Sequence, residues 1–151
     1  MLQLKAPPAK LAKGISAVVS QRLIRRLCDE CKRAYAPQPQ LLQQLGIPQG
    51  KVQAFYIQHE GPLPLPPDAP KDAVPMPCRK CRGIGFHGRT SFFELLLIND
   101  RLREILAKSP KLDVLREEAR KAGMRTLQEE GIALVAKGVT SLPELLRVLK
   151  E

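Results

Sequence analysis

The pattern of hydrophobic and polar positions predicts two β-strands. Residues 15–27 hold β-branched side chains such as Val18, Val19 and Ile24, which favours a strand over the alternative of a continuous helix. Residues 90–98 form a second apolar run, whose end is apolar enough to be covered on both faces. The chain is therefore expected to contain a strand pair.

After the second strand, apolar residues recur at helical spacing and predict four helices. Their start signals are Asn99 or Asp100, Pro110, the capping box of residues 126–129 and the capping box of residues 141–144. Gly123 and Gly138 are expected to end the second and third of these helices. A short helix is also predicted at residues 9–13, between Pro8 and Gly14.

The segment of 46 residues between Cys31 and Cys78 is dominated by Gln, Pro and Gly. Residues 38–46 are expected to form one or two helical turns, and seven prolines make residues 61–77 an extended, irregular arm. A loop of this length without a core is unusual in a compact domain. Both of its ends are therefore expected to be clamped by a metal.

All the cysteines of the chain occur in two CxxC pairs, formed by Cys28, Cys31, Cys78 and Cys81. Two residues between cysteines let a tight turn point both sulfurs at one ion, and two such turns complete a tetrahedral site that suits zinc. Four thiolates leave no position for water, so the predicted zinc is structural. A pair of disulfides in an oxidising compartment and a redox-active CxxC are the alternatives.

The net charge of +10 invites a nucleic-acid interpretation, but the charge is concentrated around the cysteines. Residues 22–33 and 79–89 carry seven of the ten net positive charges. A zinc tetrathiolate has a net charge of about −2, which nearby cations offset. Only Tyr35 and Phe86 are close enough in sequence to stack on bases. The pattern therefore argues against nucleic acid as a partner.

No apolar run approaches the roughly 20 residues that a membrane-spanning helix needs, so no membrane insertion is predicted. Three lysines precede a short apolar segment near the N-terminus, which is a poor signal peptide. The expected location is the cytoplasm, where cysteines stay reduced and can bind metal.

Two glycine clusters mimic nucleotide-binding loops. Residues 83–88 match GxGxxG in form, but no strand leads in and no helix follows. Their glycines are instead expected to turn the backbone with positive φ and to leave amide N–H groups for the sulfurs. Residues 46–52 have one residue too few between their glycines, and Val52 stands where a magnesium-binding hydroxyl is needed. No nucleotide site is predicted.

No set of residues for nucleophilic catalysis is visible. His59 lies in the proline-rich arm, and His87 is expected to be a solvent-facing turn residue rather than a spare zinc ligand. Glu94 lies within an apolar strand and needs a partner, for which Arg22 and Arg89 are candidates. The residues alone indicate a metal-stapled interaction module without catalytic residues.

The order of the motifs is more specific than any one of them. The chain runs VVSQRLIRRLC, two CxxC pairs around a variable loop, G-x-G-F-x-G-R-x-x-x-F-E-L-L, and GMRTLQEEGIALVAKGVTSLPELLRVL. Over residues 8–150, apart from residues 36–77 of the variable loop, it resembles the C-terminal region of the bacterial type II secretion and type IV pilus assembly ATPases. The resemblance implies a cytoplasmic hexameric motor that uses ATP and Mg²⁺ and acts on an inner-membrane platform protein. It also implies the tetracysteine subgroup, with structural zinc at the four cysteines.

The chain departs from this family because it lacks Walker A, Walker B and the acidic and histidine boxes. It is therefore expected to be a truncated or split part of a motor, inactive towards ATP alone. The predicted class is α+β, with a RecA-like remnant, a zinc-stapled loop module and a C-terminal helical bundle. The predicted divisions are 1–27, the last helix and strand of a nucleotide-binding core; 28–88, the zinc module with its arm; 89–98, a return strand; and 99–151, a helical subdomain.

The predicted function is that of a C-terminal motor piece that binds structural zinc and contacts other motor subunits, the rest of its own subunit or the platform protein. The alternative is an independent zinc-ribbon module that binds nucleic acid or protein. A strand pair without the rest of a sheet is expected to expose apolar side chains. The positions expected to be exposed are Val18, Val19, Phe92, Phe93 and Leu95.

Overall fold

The computed structural model describes residues 7–48, 50–108 and 111–150. In chain order the elements are α1 (Pro8–Gly14), β1 (Ala17–Leu27), β2 (Arg33–Tyr35), α2 (Pro39–Gln44), β3 (Phe55–Ile57), β4 (Phe86–Leu97), α3 (Asp100–Lys108), α4 (Leu112–Lys121), α5 (Leu127–Ala136) and α6 (Leu142–Lys150). Helices and small sheets coexist, so the predicted α+β class is confirmed.

The two long strands, β1 and β4, pair with each other. The Ile98 N–H donates to the Ser16 carbonyl at one end of the pair, and the Cys28 N–H donates to the Gly85 carbonyl at the other, both at 2.9 Å. Because residues late in β4 meet residues early in β1, the pair is antiparallel. The strand prediction for residues 15–27 is confirmed, and the helical alternative is wrong.

Burial along β4 alternates instead of covering both faces. Phe92 is only 3 % exposed, whereas Phe93 is 51 % and Leu97 63 % exposed. Successive strand side chains point to opposite faces, so a sheet covered on one face buries every second residue. The prediction of a strand end covered on both faces is therefore wrong, as is the prediction that Phe92 is exposed. Exposure is confirmed for Val18, Val19, Phe93 and Leu95.

Two compact units share these strands. The first contains residues 1–21 and 93–130, and the second contains residues 22–92 and 131–151. In the first unit α1 packs against α3, and the guanidinium of Arg103 donates to the Ala12 carbonyl at 2.6 Å. α3 also packs against α4.

The helix caps of the first unit follow the sequence signals. Asn99 is the cap of α3, since its Oδ1 accepts from the Leu102 N–H at 2.9 Å. Thr126 and Glu129 form the predicted capping box, in which each residue's side chain accepts a hydrogen bond from the other's backbone N–H, at 2.8 and 3.2 Å. α4 ends at Lys121, and the predicted stop Gly123 follows two residues later with a φ of 86°, which suits only glycine well.

The predicted start of α4, Pro110, lies outside the described residues, and the helix is described from Leu112. In the second unit, Leu145 of α6 lies directly against Gly131 of α5, where an added Cβ would clash with it. Val135 of α5 and Val148 of α6 are also buried.

The segment between the cysteine pairs contains more structure than predicted. α2 confirms the helical turns expected at residues 38–46. β2 and β3 form a short antiparallel ladder in which Arg33 pairs with Ile57 and Tyr35 with Phe55. Phe55 is fully buried. The sequence did not indicate this ladder because strands of three residues carry almost no periodic signal.

Candidate metal centre

Each CxxC pair forms a turn closed by its own backbone, here called a knuckle. In the first knuckle, residues 28–31, the Lys32 N–H donates to the Cys28 carbonyl at 3.0 Å. In the second, residues 78–81, the Arg82 N–H donates to the Cys78 carbonyl at 2.7 Å. β1 ends immediately before the first knuckle and β4 begins shortly after the second. Pairing of these strands therefore brings the two knuckles together.

The four cysteine sulfurs form one buried cluster. All lie within 4.8 Å of one another, with Cys28 Sγ 3.8 Å from Cys78 Sγ and Cys31 Sγ 3.5 Å from Cys81 Sγ. A zinc tetrathiolate with Zn–S bonds of about 2.3 Å has sulfurs about 3.8 Å apart, whereas a disulfide bond is about 2.05 Å long. The cysteines are free thiols, at most 6 % exposed, and their arrangement fits a four-coordinate metal ion.

The glycines after the second knuckle have the predicted positive φ, and one of them donates its amide N–H to a cysteine sulfur, as predicted. Gly83 and Gly85 have φ values of 81° and 78°, and the Gly85 N–H donates to Cys81 Sγ at 3.3 Å. Burial acts to raise the pKa of Cys81, but hydrogen bonds from the Gly85 amide and neighbouring thiols outweigh it and lower the pKa to about 7. Burial raises the pKa of Cys31, which lies against the other thiols.

The lysines beside the knuckles have specific partners. Lys80 Nζ lies 3.1 Å from Asp29 Oδ2, so it bridges one knuckle to the other. Lys32 Nζ donates to the Gly138 carbonyl at 3.0 Å and stands 4.7 Å from the centroid of the Tyr56 ring. Several arginines around the knuckles are exposed; they are Arg26, Arg33, Arg79, Arg82 and Arg89.

Neither histidine contributes a ligand atom to the described cluster. His87 is exposed, as predicted, but lies on β4 rather than in a turn. The His59 ring contacts the Pro62 carbonyl at 2.9 Å. Glu94 accepts a hydrogen bond from the Leu127 N–H at 3.1 Å, a backbone partner that the sequence did not indicate. The P-loop mimic at 46–52 includes residue 49, which lies outside the described residues.

A buried carboxylate lies at the start of α6. Glu144 accepts from Arg25 Nε at 3.0 Å and from Arg147 Nε at 3.0 Å, and Arg25 stacks 4.2 Å from the centroid of the Phe86 ring. Burial acts to raise the pKa of Glu144, but the two guanidinium groups outweigh it and lower the pKa to about 2. Ser141 Oγ accepts from the Glu144 N–H at 3.4 Å, so only the serine half of the predicted capping box is present.

In the first unit, an apolar groove of about 590 Å³ lies beside β4. Its lining includes Phe93, Leu95 and Leu97 from the strand, Ala119 from α4, and Met124 from the turn after that helix. Apolar surface of this kind is typical of a contact site rather than of a catalytic pocket. Among the described residues, no helix is both long and apolar enough to cross a membrane.

Comparison of the sequence with known proteins shows which family the chain comes from. The family model described as "Type II/IV secretion system protein" matches residues 1–147. The chain belongs to this family.

Individual relatives carry similar descriptions. The chain is 32 % identical over 139 residues to a type IV pilus assembly ATPase, PilB, of Thermus thermophilus, covering 92 % of this chain and 14 % of the relative. It is 36 % identical over 140 residues to a protein transport protein HofB homolog of Escherichia coli, covering 92 % and 26 %. It is 31 % identical over 144 residues to the type II secretion system ATPase E of Vibrio cholerae, covering 95 % and 25 %. The chain thus spans about a quarter or less of the length of these relatives.

Proposed function

We propose that the chain corresponds to the C-terminal region of a secretion or pilus-assembly motor and contains a structural zinc site. The observation that carries the proposal is the cluster of four buried, free thiols with sulfur separations of 3.5 and 3.8 Å in a chain of this family. The chain would belong to the tetracysteine subgroup. β1 and β4 would correspond to the edge of a RecA-like core, residues 28–88 to the zinc module, and residues 99–151 to the helical subdomain.

The role of zinc in this proposal is structural. Four thiolates fill a tetrahedral coordination sphere and leave no position for water or substrate. Cys28, Cys31, Cys78 and Cys81 would hold the ion, and it would fix the two ends of the long segment between the knuckles. The chain's own contribution is to bury the sulfurs and to donate the Gly85 amide to one of them.

Contacts with other motor components form the second part of the proposal. The exposed apolar side chains of β4, with the groove beside them, provide a surface for another part of a motor subunit, a neighbouring subunit or an inner-membrane platform protein. Two of the relatives named above are described as a pilus assembly ATPase and a secretion system ATPase. In such a motor, the ATP site would be supplied by segments that are not part of this chain. The assembly would act in the cytoplasm, at the inner membrane.

Metal analysis of the reduced, purified chain tests the proposal. We expect one zinc ion per chain, and loss of that zinc in the variant Cys28→Ser. The matched control is Ser91→Ala, which changes an exposed residue of β4. Absence of metal from the unsubstituted chain would contradict the proposed function.

An independent binding module is the second candidate, because exposed arginines such as Arg33, Arg79 and Arg82 surround the knuckles. Nucleic-acid binding through them would weaken steeply with salt, since phosphate contacts release counterions. We expect titration of labelled single- and double-stranded DNA to show no such binding at physiological salt. Tight, strongly salt-dependent binding would favour the second candidate over a motor component.

A further inference from the structure

Residues 58–61, here called the strap, cross the glycine turn after the second knuckle at very short range. A Cβ added at Gly85 would lie 2.7 Å from the Gln58 Cβ and 2.8 Å from the His59 carbonyl oxygen. The Gly61 N–H donates to the Gly83 carbonyl at 2.9 Å. The strap backbone therefore lies directly on the glycine turn that follows Cys81.

The strap also reaches the sulfur cluster. The His59 carbonyl oxygen lies 3.9 Å from Cys31 Sγ, and the side chain of Leu63, just beyond the strap, packs against the four cysteines. A ligand or proton that removes a metal ion from a tetrathiolate must first reach the ion or one of its sulfurs. The strap covers part of that approach.

We propose that the strap is a cover that slows release of the bound metal, and that Gly85 is the positioning residue that lets it close. This inference rests on the proposed zinc site. Gly85 combines three contacts: its N–H donates to Cys81 Sγ, its carbonyl accepts from the Cys28 N–H, and its missing side chain leaves room for the strap. Loss of outer-shell contacts of this kind typically lowers metal affinity by about 10- to 100-fold.

Contacts beyond the glycine turn hold the strap in place. The His59 ring contacts the Pro62 carbonyl at 2.9 Å, and the Leu63 N–H donates to the Met76 carbonyl at 2.8 Å. Pro62 and Pro77 form an isolated bridge at the base of the arm. Loosening these contacts would open the cover without changing a cysteine or the turn beside it.

The test measures how fast the full zinc-loaded chain releases zinc to excess chelator, followed with a coloured metal indicator. The matched pair is Gly85→Ala and Gly88→Ala. Both glycines have a φ of 78°, so the backbone strain is equal, but an added Cβ at Gly88 meets nothing within 4 Å. We expect Gly85→Ala to release zinc at least about tenfold faster than Gly88→Ala, the lower range for changed outer-shell partners.

A second variant, His59→Ala, tests the strap if Gly85→Ala does not fold. Its expected effect is about fivefold faster release, equivalent to losing one ordinary hydrogen bond. Faster hydrogen exchange of the Gly61 amide, with zinc still bound, should accompany it. If every folded variant of Gly85 and His59 released zinc at the same rate as Gly88→Ala, the proposed cover would be wrong, but the proposed zinc site would stand. An unsubstituted chain without zinc would overturn both the cover and the proposed function.

Discussion

Glu144, on the first turn of α6, accepts hydrogen bonds from both the backbone and the side chain of Arg25 on β1. The backbone bond is 3.3 Å long, and the shorter side-chain bond, from Nη2 to Oε2, is 2.6 Å. Thr140, just before the helix, donates its hydroxyl to the Arg25 carbonyl at 2.9 Å. With the Nε bond to Oε1, four hydrogen bonds at the single residue Arg25 join β1 to the start of α6.

The first prediction concerns the pH dependence of this contact. The pKa of Glu144 is about 2, below its ordinary value of 4.5. A carboxyl whose pKa is lowered by folding stabilises the folded state above its ordinary pKa, and this contribution is lost as the pH falls towards the lowered value. Glu144→Gln should therefore cost on the order of 3 kcal/mol of unfolding free energy near pH 7.

Denaturant unfolding of both proteins between pH 7 and pH 2.5 measures this difference. The gap between the original chain and Glu144→Gln should narrow as the pH falls below about 4.5, whereas acid loss of metal affects both proteins alike. Glu104→Gln, at an exposed position in the first unit, is the control. A gap that stays constant with pH would show that Glu144 contributes through packing rather than charge.

The same carboxylate shows where sequence reasoning stops. The pattern Ser-x-x-Glu predicts a local capping box at residues 141–144, and the Ser141 half is present. The carboxylate instead binds a residue 119 positions away in the chain. Local spacing predicts local contacts, but which distant cation enters a buried site depends on tertiary packing.

Most elements and the cysteine cluster could be predicted because their signals are local. The CxxC spacing, the Thr126 capping box and the glycine stops each act within a few residues. The β2–β3 ladder and the strap could not be predicted, since they depend on packing between segments with no periodic pattern. The RecA-like origin of the strand pair and the four-part division of the chain stay predictions.

The second prediction concerns Gly138, at the end of α5. Its φ is 66°, and an added Cβ would lie 2.6 Å from the Tyr56 ring. Gly138→Ala should therefore cost about 2–4 kcal/mol of stability, combining positive-φ strain with a displaced aromatic ring. The control Gly123→Ala, with a φ of 86° and open space around the site, should show the strain alone, about 1–2 kcal/mol. Equal losses in thermal unfolding would contradict the close contact with Tyr56.

The third prediction is that metal removal unfolds one helix of the chain and leaves others formed. The sequence predicts that residues 28–88 become free while the helices after residue 98 persist. The structure indicates an exception at α6, because the two residues that flank the first knuckle bind the turn before this helix. The Leu27 N–H donates to the Val139 carbonyl at 2.9 Å, and Lys32 Nζ donates to the Gly138 carbonyl at 3.0 Å. We expect chelation to release α6 and to leave α3 and α4 formed.

Hydrogen exchange with and without chelator resolves the helices one by one. Zinc binding is worth roughly 10–16 kcal/mol in small zinc peptides, so its loss is large enough to open the second unit. Amides of α6 should lose protection, while those of α3 should keep most of it. Circular dichroism of the same samples measures the total helix content as a control. Loss of the whole helical signal on chelation would contradict the expectation that α3 and α4 persist while α6 opens.

The fourth prediction is that the chain alone neither binds ATP tightly nor hydrolyses it. Phosphate binding needs a cradle of backbone N–H groups, a lysine and a magnesium-binding hydroxyl. Gly85, the central glycine of residues 83–88, already donates its N–H to Cys81 Sγ in the metal centre. Turnover assays on the pure chain should stay at background, with Cys28→Ser as the control. Hydrolysis that depends on zinc would contradict our interpretation of both glycine clusters.

The last prediction concerns the exposed apolar face of β4. Phe93 and Leu97 are 51 % and 63 % exposed and line the groove beside the end of α4, and β1 is the one strand that pairs with β4 in the described chain. Apolar surface next to an unpaired strand edge favours association. We expect sedimentation velocity to show self-association that increases with concentration. Leu97→Ser should weaken it at least about tenfold, since burying one leucine is worth about 1.5–3 kcal/mol.

The control for this experiment is Leu112→Ser, at an exposed leucine of similar accessibility on α4 that does not line the groove. It should leave the association unchanged, because it removes the same apolar area from a different surface. Equal weakening by both substitutions would indicate unspecific stickiness. A monomer at every concentration, without binding of an apolar dye, would show that the face of β4 needs no covering partner and would favour an independent zinc module over a motor component.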